Sequence, residues 1–199
     1  KHRDGPALVI AGAGTGKTRT LTYRVARLVE LGVDPKSILL LTFTRRAAQE
    51  MLRRAAALLH DRAAEDVSGG TFHSFANLTL RKYAALLGYT PSFTILDQGD
   101  SHDAINLLRT RMGLATAKRR FPKKNTIGSM ISLAVSRCVG LEQVIEKDYP
   151  YFVQDTEDLL RLADAYRAYK LRANAMDYDD LLTNLVRLLE EHPEARAAL

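Results

Sequence analysis

The chain has 199 residues, a hydrophobic fraction of 46%, a formal net charge of +6 and a single cysteine, Cys138. One cysteine excludes an internal disulfide and favours a reducing compartment, so we expect a cytoplasmic protein and a buried Cys138. No apolar run reaches the roughly 20 residues of a membrane-spanning helix, and we expect no membrane partner. The length allows one large domain or two small ones.

The positive charge is concentrated at one end of the chain. Residues 1–65 hold 12 Lys and Arg against 6 Asp and Glu, whereas residues 66–199 hold 17 of each. A local cationic excess suits phosphate-rich partners such as nucleotides or nucleic acids. A solvated basic helix surface would give the same count, and charge alone does not separate the two.

The first segments predict a phosphate-binding loop. Residues 7–11 form an apolar run typical of a buried strand, and residues 16–31 have helical spacing. Between them lies Ala11-Gly12-Ala13-Gly14-Thr15-Gly16-Lys17-Thr18. Glycines let backbone N–H groups surround a phosphate at a helix N-terminus, while Lys17 reaches the β- and γ-phosphates and Thr18 ligates Mg²⁺. The strict pattern begins with Gly where this chain has Ala11; the alternative is a glycine-rich turn without a ligand.

A second strand is predicted over residues 38–42, whose continuous apolar character is typical of a strand buried on both faces of a parallel sheet. Thr44 is a plausible N-cap for a helix that runs to about His60. Phe43 would lie at the carboxyl edge of the sheet, where open α/β sheets bind ligands. It either stacks on a base beside Arg45 or belongs to the core, and the sequence does not decide between them.

Residues 67–75 predict a third short strand that leads into a helix. His73, with Thr71 and Ser74, would lie near the helix N-terminus and could donate a hydrogen bond to a phosphate. A lone histidine is more often structural than functional. Catalysis by His73 would require a carboxylate partner that the sequence does not identify.

The remaining chain is predicted to be mainly helical, with one short extended segment at residues 92–96. The predicted helices cover residues 74–87, 97–112, 122–139, 141–147, 155–172 and 177–191. Asp97 and Asp100 resemble Mg²⁺ ligands, but we interpret them as the N-cap and N3 residues of a helix. The basic run over residues 118–124 either contacts a DNA backbone or is a solvated loop.

Four motifs together resemble the UvrD/Rep/PcrA family of superfamily 1 DNA helicases. They are the loop at residues 11–18, Leu-Thr-Phe-Thr-Arg-Arg-Ala-Ala-Gln-Glu-Met at 41–51, Gly-Thr-Phe-His-Ser-Phe at 70–75 and Met-Asp-Tyr-Asp-Asp-Leu-Leu at 176–182. Each motif is weak alone, but four in this order are specific and span nearly the whole chain.

The resemblance implies an α/β fold in which a P-loop (RecA-like) parallel sheet, incomplete in this chain, carries a mostly helical inserted subdomain. Residues 1–75 would be the first part of the ATP-binding motor domain, 76–175 the insert and 176–199 the return towards the motor domain. Family members move 3′ to 5′ on single-stranded DNA with ATP and Mg²⁺ and unwind duplexes.

The family's site residues can be carried over by position. Gly12, Ala13, Gly14, Thr15, Gly16, Lys17, Thr18 and Arg19 would bind the nucleotide, with Lys17 and Thr18 catalytic and Thr18 on the metal. Phe43, Thr44, Arg45, Thr71, Phe72 and His73 would contact single-stranded DNA, including single-strand/duplex junctions. Arg45 stands where the family often has Asn, so its contact would differ. Tyr178 would pack, and Asp177 or Asp179 would help to position the return strand.

The family's glutamine motif, Asp-Glu pair and second motor domain have no counterpart in this sequence. We therefore expect an N-terminal piece of a DNA repair or replication helicase that binds nucleotide and lacks efficient turnover. The rest of the helicase chain would then be its partner. The alternatives are a non-catalytic DNA-binding or interaction module and a piece of a helicase–nuclease. A small-molecule kinase is disfavoured, because it has no use for the motifs at residues 41–51 and 70–75.

Overall fold

The computed structural model describes residues 5–12, 14–59, 66–115 and 120–199. These residues form a mixed α/β structure that is mostly helical and has two small parallel sheets. The chain divides into two compact units, the first ending at Phe75 and the second beginning at Ala76. No described helix is long and apolar enough to cross a membrane.

The first unit is built around one β-α-β connection. Its elements are α1 (Lys17–Glu30), β1 (Leu39–Thr42), α2 (Arg45–Leu59), β2 (Ser68–Thr71) and the start of α3 (Phe72–Tyr83). β1 and β2 pair in parallel, with Leu39 opposite Ser68 and Thr42 opposite Thr71. The carboxyl ends of both strands therefore meet at one edge of the sheet, where the residues that follow them lie close together.

The core of the first unit lies on one face of this sheet. Ile38 and Leu40 are buried with Val25 of α1 and Met51 of α2. Leu39, whose side chain points to the opposite face, is partly exposed. The prediction that residues 38–42 are buried on both faces is therefore wrong, because α1 and α2 supply core residues to one face only.

The prediction of a buried first strand over residues 7–11 is also wrong. Leu8 is 87% exposed and Ile10 is 89% exposed. No described strand pairs with this segment, since the only partner of β1 in the described sheet is β2. An apolar run becomes a buried strand only where a neighbouring strand satisfies its backbone groups and a helix covers its side chains.

The second unit contains most of the helices. They are α4 (Gln98–Arg111), α5 (Lys124–Arg137), α6 (Leu141–Asp148), α7 (Thr156–Arg172), α8 (Tyr178–Glu191) and α9 (Pro193–Ala197). Two short strands, β3 (Thr94–Ile95) and β4 (Ala175–Met176), pair in parallel. The helices predicted over residues 97–112, 122–139, 141–147, 155–172 and 177–191 are confirmed within a few residues at each end.

Two hydrophobic clusters stabilise the second unit. The larger one joins α4, α5, α6 and α7 through residues such as Ile105, Met130, Ile145 and Leu162. The other includes Phe93, Met176, Leu181 and Leu188, so residues 176–199 pack inside the second unit. Their predicted role as a return towards the motor domain stays a prediction.

Cys138 corrects one expectation from the sequence. It follows the last residue of α5, is exposed and has a left-handed backbone with φ of 53°. A residue in this conformation ends a helix, so Cys138 does not continue the buried face of α5. The predicted burial of Cys138 is therefore wrong.

Candidate nucleotide and nucleic-acid site

The glycine-rich loop bends at two glycines. Gly14 and Gly16 have φ of 78° and 88°, values that favour glycine because a Cβ atom would clash with the backbone. The hydroxyl of Thr15 donates a hydrogen bond to the Gly12 carbonyl at 2.7 Å, which closes the turn. α1 begins directly after Gly16, so the loop leads into a helix N-terminus. Ala13 lies outside the described residues.

Lys17 is held by the loop that it belongs to. Its ammonium donates hydrogen bonds to the carbonyl oxygens of Ala11 and Gly12, each at 2.8 Å. These carbonyls keep the positive charge within the loop, at the side of the helix N-terminus. The lysine is therefore placed where a bound phosphate would replace the two carbonyls as acceptor.

Thr18 and Arg19 occupy the first turn of α1. Arg19 extends over the ring of Tyr23, with its guanidinium carbon 5.4 Å from the ring centroid, and it also reaches the Tyr23 hydroxyl at 3.5 Å. The side chains of Arg19 and Tyr23 line a hollow of about 510 Å³ together with residues 14–16 and Thr20. The predicted nucleotide-binding residues that the structure describes thus lie on one loop and one helix turn.

The end of β1 carries the second set of predicted site residues. The Thr44 hydroxyl accepts a hydrogen bond from the Ala47 N–H at 3.2 Å, the interaction of an N-cap. The Thr42 hydroxyl in turn donates to the Thr44 carbonyl at 2.9 Å. Thr44 thus has a structural role at the start of α2, while Arg45 is exposed in its first turn.

Phe43 is exposed and not part of the core, so the core alternative for this residue is wrong, while stacking on a base stays a prediction. It is 92% exposed, and its ring centroid lies 5.6 Å from that of Phe72, with 43° between the ring planes. Phe72, at the start of α3, is 41% exposed. The parallel pairing of β1 and β2 brings these two rings together, although 28 residues separate them in the sequence.

Thr71 and His73 flank Phe72. The Thr71 hydroxyl accepts a hydrogen bond from the Ser74 N–H at 3.1 Å and exchanges another with the Ser74 hydroxyl at 2.9 Å. It therefore caps α3 as Thr44 caps α2. His73 is half-buried beside this cap.

A basic hollow of about 760 Å³ lies between the start of α1 and α2, lined in part by Thr18, Thr44 and Arg46. On α2, Glu50 accepts hydrogen bonds from Arg53 at 2.9 Å and from Arg54 at 2.7 Å. These two guanidinium groups lower the pKa of Glu50 to about 2. Glu50 therefore stays charged and holds both arginines along the helix.

Asp97 and Asp100 are confirmed as capping residues. Asp97 Oδ1 accepts a hydrogen bond from the Asp100 N–H at 2.8 Å, and Asp97 precedes the first residue of α4. In the described ranges no three His, Cys, Asp or Glu side chains converge as a metal-binding group.

The basic run over residues 118–124 lies partly outside the described ranges. Among its described residues, Phe121 is buried and Lys124 pairs with Asp103.

One cluster of buried charges was missed by the sequence analysis. Lys170 of α7 contacts Asp177 and Asp180, which form a reciprocal capping box at the start of α8. The Tyr166 hydroxyl also donates to Asp177, at 3.0 Å. Lys170 follows Tyr166 by four residues, on the buried side of α7, and this spacing was the available signal.

The pKa values of the two carboxyl groups in this cluster shift in opposite directions. Burial, the largest influence on Asp177, raises its pKa, but the Lys170 ammonium and the hydrogen bonds to the carboxylate outweigh it. The pKa of Asp177 therefore lies below its usual value. For Asp180 burial prevails and raises the pKa. The position of Asp177 at a cap agrees with a structural role, whereas Tyr178, expected to pack, is partly exposed.

Comparison with known proteins identifies the family. The UvrD/REP helicase N-terminal domain matches residues 1–199. The chain is 34% identical over 197 residues to the ATP-dependent DNA helicase PcrA of Leuconostoc citreum, covering 98% of this chain and 25% of that protein. It is 35% identical over 199 residues to the ATP-dependent DNA helicase UvrD1 of Mycobacterium leprae and 35% identical over 195 residues to PcrA of Bacillus subtilis. The match to UvrD1 covers 97% of this chain, and the match to the Bacillus PcrA covers 98% of it. Each of these matches covers 25% of the relative.

The mixed α/β chain therefore belongs to the UvrD/REP helicase family, as the resemblance of its motifs implied. It spans about a quarter of the length of the curated relatives it matches.

Proposed function

We propose that this chain is the ATP-binding portion of a RecA-like motor domain in an ATP-dependent 3′–5′ DNA helicase of repair or replication. Two observations support this proposal: membership of the UvrD/REP helicase family and the loop that leads into α1. The observation that carries it is Lys17, whose ammonium is already held at the mouth of that loop. Residues 1–75 would form the first part of the motor domain and residues 76–175 its helical insert.

The nucleotide would lie against the loop and the first turn of α1. Backbone N–H groups between Gly12 and Thr18 would surround the phosphates, with Lys17 as the main positive charge. Thr18 would ligate Mg²⁺, which supplies charge neutralisation at the phosphates. Arg19, in the hollow beside the loop, would contact the part of the nucleotide beyond the phosphates.

Single-stranded DNA would cross the edge where β1 and β2 end. The exposed pair Phe43 and Phe72 offers a surface on which bases can stack, and Arg45 lies next to it to contact phosphate. Thr44, Thr71 and His73 would complete this track. A single-strand/duplex junction would be bound through its single-stranded part, at the same edge.

Turnover by this chain alone would be inefficient. Phosphoryl transfer requires an acid for Mg²⁺, a group that orients the attacking water and a cation for the transition state. Among the described acids, Asp97 is a helix cap and Asp177 is paired with Lys170, so neither is available for that work. The remaining helicase chain would supply these groups and is the expected partner.

The test is a pair of measurements on the purified 199-residue chain and on Lys17→Ala. We expect negligible ATP hydrolysis by both proteins, with or without single-stranded DNA. A fluorescent ATP analogue should bind the parent chain and bind Lys17→Ala at least about tenfold more weakly, since one charge-assisted contact is lost. Exposed Lys36→Ala serves as the control and should bind normally.

Either of two results would contradict this proposal. Equal nucleotide binding by the parent chain and Lys17→Ala would mean that the loop is not the nucleotide site. Hydrolysis that Lys17→Ala abolishes would mean that an acid within this chain serves Mg²⁺. A chain that binds single-stranded DNA but no nucleotide would instead be a non-catalytic DNA-binding module, the second candidate, which the exposed Phe43–Phe72 pair favours.

A further inference from the structure

The second unit contains a cavity of about 400 Å³ that none of the proposed nucleotide or DNA contacts uses. It lies where α4, α5 and the first turn of α8 meet, and Tyr166 of α7 also contributes to its wall. Its volume falls within the range of roughly 300–1,000 Å³ that is typical of ligand-binding pockets. The cavity is therefore large enough for one or two side chains of a partner.

The walls combine aliphatic and hydroxyl groups. α5 contributes Ser129, Ser132 and Ser136 along about 10 Å of its length, given the helical rise of 1.5 Å per residue. Ile105 of α4 and Ile131 of α5 add apolar surface. An occupant with an aliphatic stem and a polar end would match this lining.

Close packing of two helices fixes one wall. A Cβ atom placed on Gly128 of α5 would lie 2.7 Å from Cδ2 of His102 on α4. The imidazole ring of His102 therefore packs directly on the Gly128 backbone, and a side chain at position 128 would fit only if this ring moved. Glycine at this position thus permits the close approach of α4 and α5 at this wall.

The charge of the lining is opposite to that of the whole chain. Asp97, Asp177 and Asp179 face the cavity, and no Lys or Arg is among the described residues that line it. The charge of Asp177 is compensated by Lys170. Within the described ranges neither Asp97 nor Asp179 forms an ion pair. Both follow the carboxyl ends of the paired strands β3 and β4, so two unpaired carboxylates lie on that side of the cavity.

These features select among possible occupants. Nucleic acid and nucleotides would be repelled by the carboxylates and would find no cation in the lining. A bound metal ion is not supported, because no group of three metal-ligating side chains converges in the described part of the chain. A guanidinium on an aliphatic stem satisfies both the acidic end and the apolar and hydroxyl walls.

We propose that this cavity binds an arginine side chain of a protein partner, with the stem between α4 and α5 and the guanidinium at Asp97 and Asp179. The site would be separate from the nucleotide and DNA contacts, since its lining belongs entirely to the second unit. The proposal does not depend on the proposed helicase function.

The test is a titration of the ¹⁵N-labelled 199-residue chain with a capped tetra-arginine peptide, followed by amide NMR shifts. We expect saturable shifts at Gly128, Ser129 and Ser132, and none with the citrulline peptide, which has the same shape without the charge. Asp179→Asn should weaken binding at least about tenfold, because it removes a charged acceptor. Asp164→Asn, which removes the same charge from an exposed pair with Arg167 on α7, should bind like the parent chain.

A filled cavity provides an independent measurement. Ser132→Leu should abolish binding while the far-ultraviolet circular dichroism stays unchanged; if this variant unfolds, Asp179→Asn alone decides. The proposal is overturned if the peptide causes no shifts, if citrulline binds equally, or if Asp179→Asn has no effect. Equal or tighter binding of spermidine, or of single-stranded DNA, at the same amides would likewise overturn it in favour of a different occupant.

Discussion

The ammonium of Lys170 lies 2.5 Å from Asp177 Oδ2 and 2.6 Å from Asp180 Oδ2, although the Lys170 side chain is only 5% exposed. One lysine thus forms ion pairs with both carboxylates of the capping box of α8. Such buried charges are costly to remove singly, because each remaining partner loses its counter-charge without regaining water. The start of α8 therefore depends on a residue of α7.

Lys170→Met should destabilise the chain by about 3–5 kcal/mol, the usual cost of breaking a buried ion pair from one side. The measurement is urea-induced unfolding followed by circular dichroism. Lys147→Met, on the exposed side of α6, is the matched control and should change stability by less than about 0.5 kcal/mol. Similar unfolding midpoints for the two variants would show that the pair does not stabilise the fold.

Tyr166 should remain protonated above its usual range. Burial, followed by the nearby Asp177 charge, raises the pKa of Tyr166 above the ordinary value of about 10. Because the folded pKa is raised, the stabilising effect is complete below about pH 10 and is lost as the pH rises further. Absorbance at 295 nm should therefore show a tyrosine that ionises only when the chain unfolds.

Tyr166→Phe is the control for this titration. It should remove that late absorbance change while leaving the rest of the titration curve unaltered. If the late change persists in Tyr166→Phe, another tyrosine is responsible. Tyr89, whose pKa burial and then Asp180 also raise, would be the next to replace.

Gly69→Ala should destabilise the first unit by about 1–3 kcal/mol, the range for an added methyl group in a packed region. A Cβ atom at Gly69 of β2 would lie 2.8 Å from both terminal methyl groups of Leu52 on α2. The neighbouring glycine provides the control, since a Cβ atom at Gly70 would meet Ser74 Cβ at an ordinary 3.8 Å. Thermal unfolding of the two alanine variants should differ; equal melting temperatures would contradict this prediction.

Phe43→Ala should weaken binding of single-stranded DNA by about 1–3 kcal/mol, the usual contribution of one base stacked on an aromatic ring. Fluorescence anisotropy with labelled oligodeoxythymidine measures it at a fixed salt concentration. Tyr151→Ala removes an equally exposed aromatic ring from the second unit and should leave the affinity unchanged. A larger loss with Tyr151→Ala would place the DNA contact in the second unit.

The helices were predictable because local patterns determine them. Apolar residues three and four positions apart placed α4 to α8 within a few residues, and Asp97 was recognisable as a cap because it stands at the start of the predicted helix with Asp100 three residues later. Gly32, with φ of 86°, follows the C-cap of α1, a position at which helices commonly have glycine. These features depend on neighbours along the chain, which the sequence displays directly.

Features that depend on distant residues were less accessible. Residues 7–11 have the composition of a strand, but their burial depends on a neighbouring strand that the described residues do not supply. The approach of Phe43 to Phe72 follows from the register of β1 and β2, which periodicity does not specify. Likewise, the spacing from Tyr166 indicates that Lys170 lies on the buried side of α7, but it does not identify the two carboxylates of α8 as its partners.

Because Lys17 already donates hydrogen bonds to two carbonyls of its loop, any ligand that binds Lys17 must replace them. An incoming phosphate can accept a hydrogen bond from the Lys17 ammonium only if the hydrogen bonds to the Ala11 and Gly12 carbonyls break. The number of hydrogen bonds made by Lys17 would therefore change little. A weak hydrogen-bond acceptor would then bind Lys17 no more favourably than the loop's own carbonyls do. A multiply charged polyphosphate would bind it more favourably. If the loop binds phosphate as proposed, the contacts of Lys17 with its own backbone would therefore favour ligands of high charge density.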